Sequence, residues 1–168
     1  VEGVFSIEPR FEEREEFLIA GYRKHTKEGF HVIGESWFEL KNSLDAIERK
    51  NEHTMYGFED YAEEFCSEPL SFYYMAGVEV EKDTPFPEGM YRKVVPKAKY
   101  AVFTVNGNNA NGEIGEAFKY IYFVWLPKSE YCIDEKALFD FEFYDERWDC
   151  QLEAAQMDIY VPVRRLED

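Results

Sequence analysis

Cysteine and histidine are scarce in this sequence, with three of each among 168 residues. Cys66, Cys132 and Cys150 lie far apart and form no CxxC pair, so neither a disulfide framework nor a zinc site is signalled. His25, His31 and His53 have no HExxH spacing and no cysteine companions, which argues against a metal centre. Positive charge is scarce too. Lys and Arg number 19 against 35 Asp and Glu, for a net charge of −16. Nucleic-acid binding draws most of its affinity from neutralising phosphates, so direct contact with DNA or RNA is disfavoured, as is an anionic membrane surface. No stretch approaches the roughly 20 apolar residues that span a bilayer. No basic-then-apolar leader is present at Val1, so the expectation is a cytoplasmic location. "NGNNANGEIG" (Asn106–Gly115) lacks both the Lys-Ser/Thr of a P-loop and GxGxxG spacing, and reads as a turn with a helix cap. No Ser-His-Asp or Cys-His arrangement can be built from spacing, and no cofactor motif is present.

Aromatic residues, by contrast, are abundant: 12 Tyr, 15 Phe and 3 Trp make up 18% of the chain. Excess Tyr and Trp serve packing, and they also supply stacking faces for a flat ligand. Charged residues at 32% and apolar ones at 45% describe a globular chain, long enough for one domain or two small halves.

The chain says nearly the same thing twice. "EEFLIAGYRK" (Glu15–Lys24) and "KYAVFTVNG" (Lys99–Gly107) read as strands. Each precedes a helix. In the first, Trp37, Leu40, Leu44 and Ile47 share a face; in the second, Ile114, Phe118, Ile121 and Trp125 do, with Asn111 as N-cap and Pro127 as the stop. Two strands follow in each half. "YGFEDYAEE" (Tyr56–Glu64) matches "FDFEFYDER" (Phe139–Arg147), so that Glu59 overlies Glu142 and Tyr61 overlies Tyr144, 83 residues apart. "FYYMAGVEVEK" (Phe72–Lys82) matches "QMDIYVPVRR" (Gln156–Arg165), Val78 and Val80 overlying Val161 and Val163. The order is strand–helix–strand–strand, twice, with repeat one over about 15–82, a linker at 83–93 rich in breakers, and repeat two over 94–165, within one domain spanning 1–168. "EEREE" (Glu12–Glu16) reads as a solvated lead-in. A duplicated α+β unit of this kind pairs about a pseudo-twofold axis into an antiparallel sheet with both helices on one face and a central cleft.

In "FDFEFYDERWDC" (Phe139–Cys150) a carboxylate interrupts a strand built for burial. Strand alternation puts Glu142 and Tyr144 on one face and Phe141 and Phe143 on the other. The Glu142 face is either solvent or the wall of a pocket.

The strands "FLIAG", "YGFEDY", "FYYMAGVEV", "KYAVFTVNG", "FDFEFYDE" and "DIYVPVRR", with the helix stretches "IGESWFEL" and "AFKYIYFVWLPKSEY", in this order and spacing, resemble the GyrI-like small-molecule-binding family. That domain also forms the effector-binding part of AraC-type and MerR-type multidrug-sensing regulators. The resemblance covers about Phe17–Arg165. It implies a drug or metabolite cleft between the repeats, and an acidic residue there, Glu142 in this chain, facing lipophilic cationic aromatic ligands. A carboxylate among Tyr and Trp attracts such cations, and ring faces add cation–π attraction. The wall expected around Glu142 comprises Tyr144, Tyr56, Tyr74, Phe103, Tyr160, Trp37 and Trp148, each of which could equally be core. Glu59 is either a second cleft carboxylate or solvated.

Three functions are compatible with these residues. The first is a sensor that binds a lipophilic, cationic small molecule. In a regulator its DNA-binding partner would be another domain or protein, since no helix-turn-helix with a basic recognition helix is present. The second is a hydrolase of strained electrophiles, with Glu142 activating water and Tyr144 donating a proton. The third is an acidic protein that inhibits gyrase by contact.

Overall fold

The computed structural model describes residues 7–62 and 71–167, so Cys66 lies outside the described residues. The chain runs β1 (Arg10–Arg14), β2 (Phe17–His25), α1 (His31–Ser43), β3 (Met55–Asp60), β4 (Tyr73–Val80), β5 (Tyr91–Val95), β6 (Ala98–Asn106), α2 (Glu113–Tyr120), β7 (Tyr131–Ile133), β8 (Phe139–Tyr144) and β9 (Gln156–Arg165). A π-helical turn (Ile121–Trp125) and a final turn (Leu126–Lys128) extend α2 one residue beyond Pro127. The helix is entered at Gly112, in the left-handed region at φ 74°, and Asn109 rather than Asn111 supplies the side-chain acceptor, Ile114 N donating to its Oδ1 at 3.1 Å.

All pairings are antiparallel, and the curled sheet has the order β1-β6-β9-β8-β3-β4-β2-β5, with β7 added beside β9. The strand–helix–strand–strand repeats are β2-α1-β3-β4 and β6-α2-β8-β9. They meet at the central β3/β8 pair, and each repeat's leading strand crosses to the other's edge: β1 pairs with β6, and β5 with β2. Two stretches therefore differ from their sequence reading. The charged run at Glu12–Glu16 contributes to edge strand β1, and the linker at 83–93 already contains the start of β5. Neither segment carries a clean apolar alternation. Their strand character comes from backbone pairing to a sheet edge, and charged edge strands also discourage further pairing.

The two faces of the sheet bury different residues. On one, α1 packs Leu40 against Ala20, Ala76 and Val78, while α2 packs Ala117 and Ile121 against Ala101, Phe103, Met157 and Ile159. On the other, Phe17, Tyr56, Phe58, Tyr100, Phe139, Phe141 and Tyr160 form an aromatic cluster. Arg14 of β1 lies over this cluster, its guanidinium 4.0 Å from the Phe17 ring centroid and 5.7 Å from those of Phe141 and Tyr160, and it donates to Tyr56 Oη at 3.0 Å. A cation drawn from outside both repeats thus bridges rings of both.

The central register carries the duplication to single residues. β3 and β8 pair Glu59 with Asp140 and Gly57 with Glu142, as a twofold axis between them requires if Glu59 and Glu142 are counterparts. The last strands are shifted from the sequence alignment: Met75 pairs with Phe58 and Tyr160 with Phe141, so the counterpart of Val78 is Val163 rather than Val161. A two-residue shift keeps every side chain on its face, which is why the pattern alone could not register it.

Candidate functional site

Alternation along β3 and β8 turns Gly57, Glu59, Asp140, Glu142 and Tyr144 toward the helices, and the Phe and Tyr residues between them toward the aromatic cluster. Three carboxyl groups, from Glu59, Asp140 and Glu142, therefore lie side by side beneath α1 and α2, none more than 7% exposed. Among the described residues no Lys, Arg or His forms an ion pair with any of them, and no group of acidic, His or Cys residues is arranged to hold a metal ion. Their hydrogen-bond donors are phenols. Tyr144 donates to Glu142 Oε1 at 2.5 Å, Tyr74 to the same oxygen at 3.2 Å, Tyr61 to Glu59 Oε2 at 2.5 Å, and Tyr122 to Asp140 Oδ2 at 2.6 Å. Burial, aided by the neighbouring carboxyls, raises all four phenols well above 10, so they stay neutral donors.

Desolvation, and next the charge of Glu59, pushes Glu142 up to about 8. Desolvation pushes Asp140 up to about 7 against the opposing effect of hydrogen bonds from Glu59 and Tyr122. Glu59, opposite Asp140 and on the same face as Glu142, is raised well above the ordinary carboxyl range, chiefly by burial and next by the charge of Asp140. Three buried charges on adjacent strands without a counter-ion repel one another, and both burial and repulsion favour the protonated forms.

The duplicated Glu-x-Tyr motif is thus twofold in its bonding, but its surroundings are not. In repeat one the β3 position opposite Glu142 is Gly57. A Cβ there would stand 2.3 Å from Tyr74 Oη and 2.9 Å from Glu142 Oε1. The missing side chain lets Tyr74 reach across β3 to Glu142, and Trp37 of α1 donates to Tyr74 Oη at 2.8 Å. Tyr144 then packs edge-on between Trp37 and Trp148, at centroid distances of 5.3 and 5.0 Å. This side is filled. In repeat two the counterpart of Gly57 is Asp140 and that of Tyr74 is Ile159. No long phenol crosses from β9, and a cavity of about 550 Å³ remains between α2 and the sheet. Its walls include Phe72, Tyr122, Phe123 and Leu126, and its polar floor is Glu59 with Tyr61. The π-helical turn supplies Tyr122 to Asp140 and Phe123 to the mouth, where Phe123 is 78% exposed. Such turns are frequent at functional sites.

The expected site residues are distributed accordingly. Glu142, Tyr144, Tyr74, Trp37 and Trp148 are brought together, as a packed cluster with Glu142 at its base. The cavity beside them is floored by Glu59. Tyr56 and Tyr160 lie on the opposite face of the sheet, because each pairs with a Phe of β8 that points away from the helices. Phe103 is fully buried under α2 against Trp125, at 5.0 Å. Asp140, Tyr122, Phe72, Phe123 and Leu126 had no role in the sequence reading. The repeated Glu-x-Tyr contained a signal for Glu59 and Tyr61. Nothing in the chain order signalled Tyr122, which depends on where α2 crosses the sheet.

The asymmetry yields a first prediction. In Gly57→Ala the new methyl collides with Tyr74 and Glu142, so either the Tyr74–Glu142 bond breaks or β3 moves away from β8. A loss of about 1–3 kcal/mol in unfolding free energy, the usual cost of overpacking a tight core, is expected by denaturant titration, with Trp fluorescence reporting release of Trp37.

A duplicated α+β domain with an apolar cavity and a few convergent polar groups beside its repeat junction has the architecture of a small-molecule-binding module. The chain belongs to the GyrI-like small molecule binding domain family, whose sequence profile matches residues 7–164. Over 162 residues it is 34% identical to the transcriptional regulator BrlR of Pseudomonas aeruginosa, an alignment covering 94% of this chain and 56% of that protein. The chain therefore spans little more than half the length of that relative. Among solved structures, SAV2435 bound to tetraphenylphosphonium superposes with a TM-score of 0.68 at 14% identity, over 95% of this chain and 96% of that one. EcmrR in its DNA complex gives a TM-score of 0.62 at 15% identity, over 95% of this chain and 58% of that one. At these identities the structural likeness concerns the fold. Domains of this family are found in transcription regulators. Among the described residues, no helix is long and apolar enough to cross a membrane.

Proposed function

We propose that this chain is the effector-binding domain of a transcription regulator and takes a lipophilic, aromatic, monovalent organic cation into the cavity beside α2, with Glu59 as the counter-charge. The carrying observation is the cavity itself: apolar and aromatic walls of Phe72, Phe123 and Leu126 over a floor whose ionisable group is a buried glutamate bonded to a phenol. Its volume lies in the range that encloses most of a drug-sized ligand. The expectation that placed Glu142 in the ligand's path is refined here. Glu142 sits one residue pair away, behind Tyr144 and Tyr74, and acts on the ligand through Glu59. Tetraphenylphosphonium, the ligand of SAV2435, is a suitable probe. The DNA-binding part of the regulator would be a separate domain or protein.

The test is a thermal-shift titration with tetraphenylphosphonium and with triphenylphosphine oxide, a neutral analogue of similar shape. Stabilisation by the cation, amounting to about 2.7 kcal/mol at a hundredfold excess over Kd, with little by the neutral analogue, is the expected outcome. Equal shifts from both would show a purely apolar pocket, and no shift from either would remove the cation reading.

A further inference from the structure

The carboxyl cluster of which Glu59 borders the cavity must be electrically and geometrically satisfied when the cavity is empty. Asp140 Oδ1 is fully buried and accepts no hydrogen bond from any amide or hydroxyl donor. Directly across the β3/β8 pair from Asp140 stands Glu59. Two ionised carboxylates in contact repel, and each has only lone pairs to offer, whereas one protonated carboxyl beside one carboxylate is a strong charge-assisted hydrogen bond. A proton on Glu59 therefore gives Asp140 Oδ1 its donor and removes one of three uncompensated charges. Among the described residues the neighbouring phenols are directed to other carboxyl oxygens. Tyr61 of the β3 end donates to Glu59 Oε2, Tyr122 beyond α2 donates to Asp140 Oδ2, and Tyr74 of β4 and Tyr144 of β8 donate to Glu142. Lys119 of α2 lines the cavity but is paired with Glu116 at 3.4 Å on the exposed helix surface.

We propose that the cavity has a second, resident ligand, a proton shared between Glu59 and Asp140, and that an organic cation binds by exchanging for it. The proposal rests on the cation reading above. Glu59 is the member of the cluster that borders the cavity. A cation arriving there supplies the positive charge that the proton supplied, so the proton passes from Glu59 to buffer and the net charge of the cluster with its ligand is unchanged. Neutral ligands provide no such charge and leave the proton in place. The raised titration ranges of Glu59, Asp140 and Glu142 agree with a retained proton near neutrality.

Two measurements test it. Difference infrared spectra of the ligand-free protein at neutral pH should contain a protonated-carboxyl component that is lost in Glu59→Gln and kept in Glu142→Gln. Titration calorimetry with tetraphenylphosphonium in two buffers of different ionisation heat should show about one proton released per cation, and affinity should rise up to about tenfold per pH unit across the neutral range. In Asp140→Asn the amide donates to Glu59, leaving it ionised. Cation binding should persist there, with proton release near zero and a flattened pH profile. Absence of a Glu59-dependent infrared band overturns the resident proton whether or not any cation binds. Binding without proton release, or equal release in Asp140→Asn, overturns the exchange. If the band is present but the cation never binds, the cation reading fails and takes the exchange with it.

Discussion

Replacing Glu59 by Gln is expected to weaken tetraphenylphosphonium binding by about two orders of magnitude or more, while leaving a neutral analogue within about threefold. The magnitude follows from the setting. Truncating one partner of a desolvated charge pair costs about 2–5 kcal/mol, and much of that is the penalty of holding the other charge unpaired in a low-dielectric site. The ligand cation would be that unpaired charge, enclosed by Phe72, Phe123 and Leu126 with Glu59 as its nearest carboxyl. Gln preserves the shape and can still accept from Tyr61, so the fold should survive, which a melting curve without ligand checks. Glu142→Gln should have a smaller effect, because Glu142 does not border the cavity. Equal losses in the two variants, or a larger one in Glu142→Gln, would return the ligand to the Glu142 side of the cluster. Retention of full cation affinity in Glu59→Gln would sink the assignment.

The ligand-free protein should lose stability as pH rises from about 5 to about 9, and Glu142→Gln should remove a large part of that loss. The sign follows from the proton balance. Burial holds Glu142 at about 8 in the folded chain, against an ordinary value of 4.5. Below the ordinary value both states carry the proton and nothing is lost. Between the two values the unfolded chain has released its proton and the folded chain has not, so stability falls with each pH increment. Above about 8 the loss is complete. A shift of this direction and size corresponds to several kcal/mol, shared with Glu59 and Asp140 because the three titrate together. The measurement is urea unfolding of wild type and Glu142→Gln at a series of pH values. The two curves should approach each other at acidic pH and diverge toward alkaline pH, with the variant more stable. Parallel curves would mean that Glu142 is not held protonated. A group that destabilises the empty fold at working pH marks a site where function outweighs stability, as perturbed carboxyls commonly do.

The sequence contained much of this. Strand alternation in "FDFEFY" assigned Glu142 and Tyr144 to one face and the Phe residues to the other, and the structure keeps that division. The repeated Glu-x-Tyr, 83 residues apart, named Glu59 and Tyr61 as counterparts of Glu142 and Tyr144, and each Tyr indeed bonds the Glu two residues before it. Both helices and six of the strands were readable because each has a periodic apolar face that must be buried. Edge strands β1 and β5 were not, since their pairing partner lies in the other repeat and their own composition is charged or mixed.

What the sequence by itself determined is a duplicated α+β domain of the GyrI-like family with acids and phenols at its centre, because local periodicity and repetition are properties of the chain alone. What only the tertiary structure decided is which half of that duplicate stays open. Gly57 lets Tyr74 cross to Glu142 and fill one side, while Asp140 and Ile159 in the matching places leave the other side hollow. That outcome depends on cross-strand register, a relation between residues distant in the chain. No reading of either repeat alone could place Glu59, and not Glu142, at the edge of the cavity.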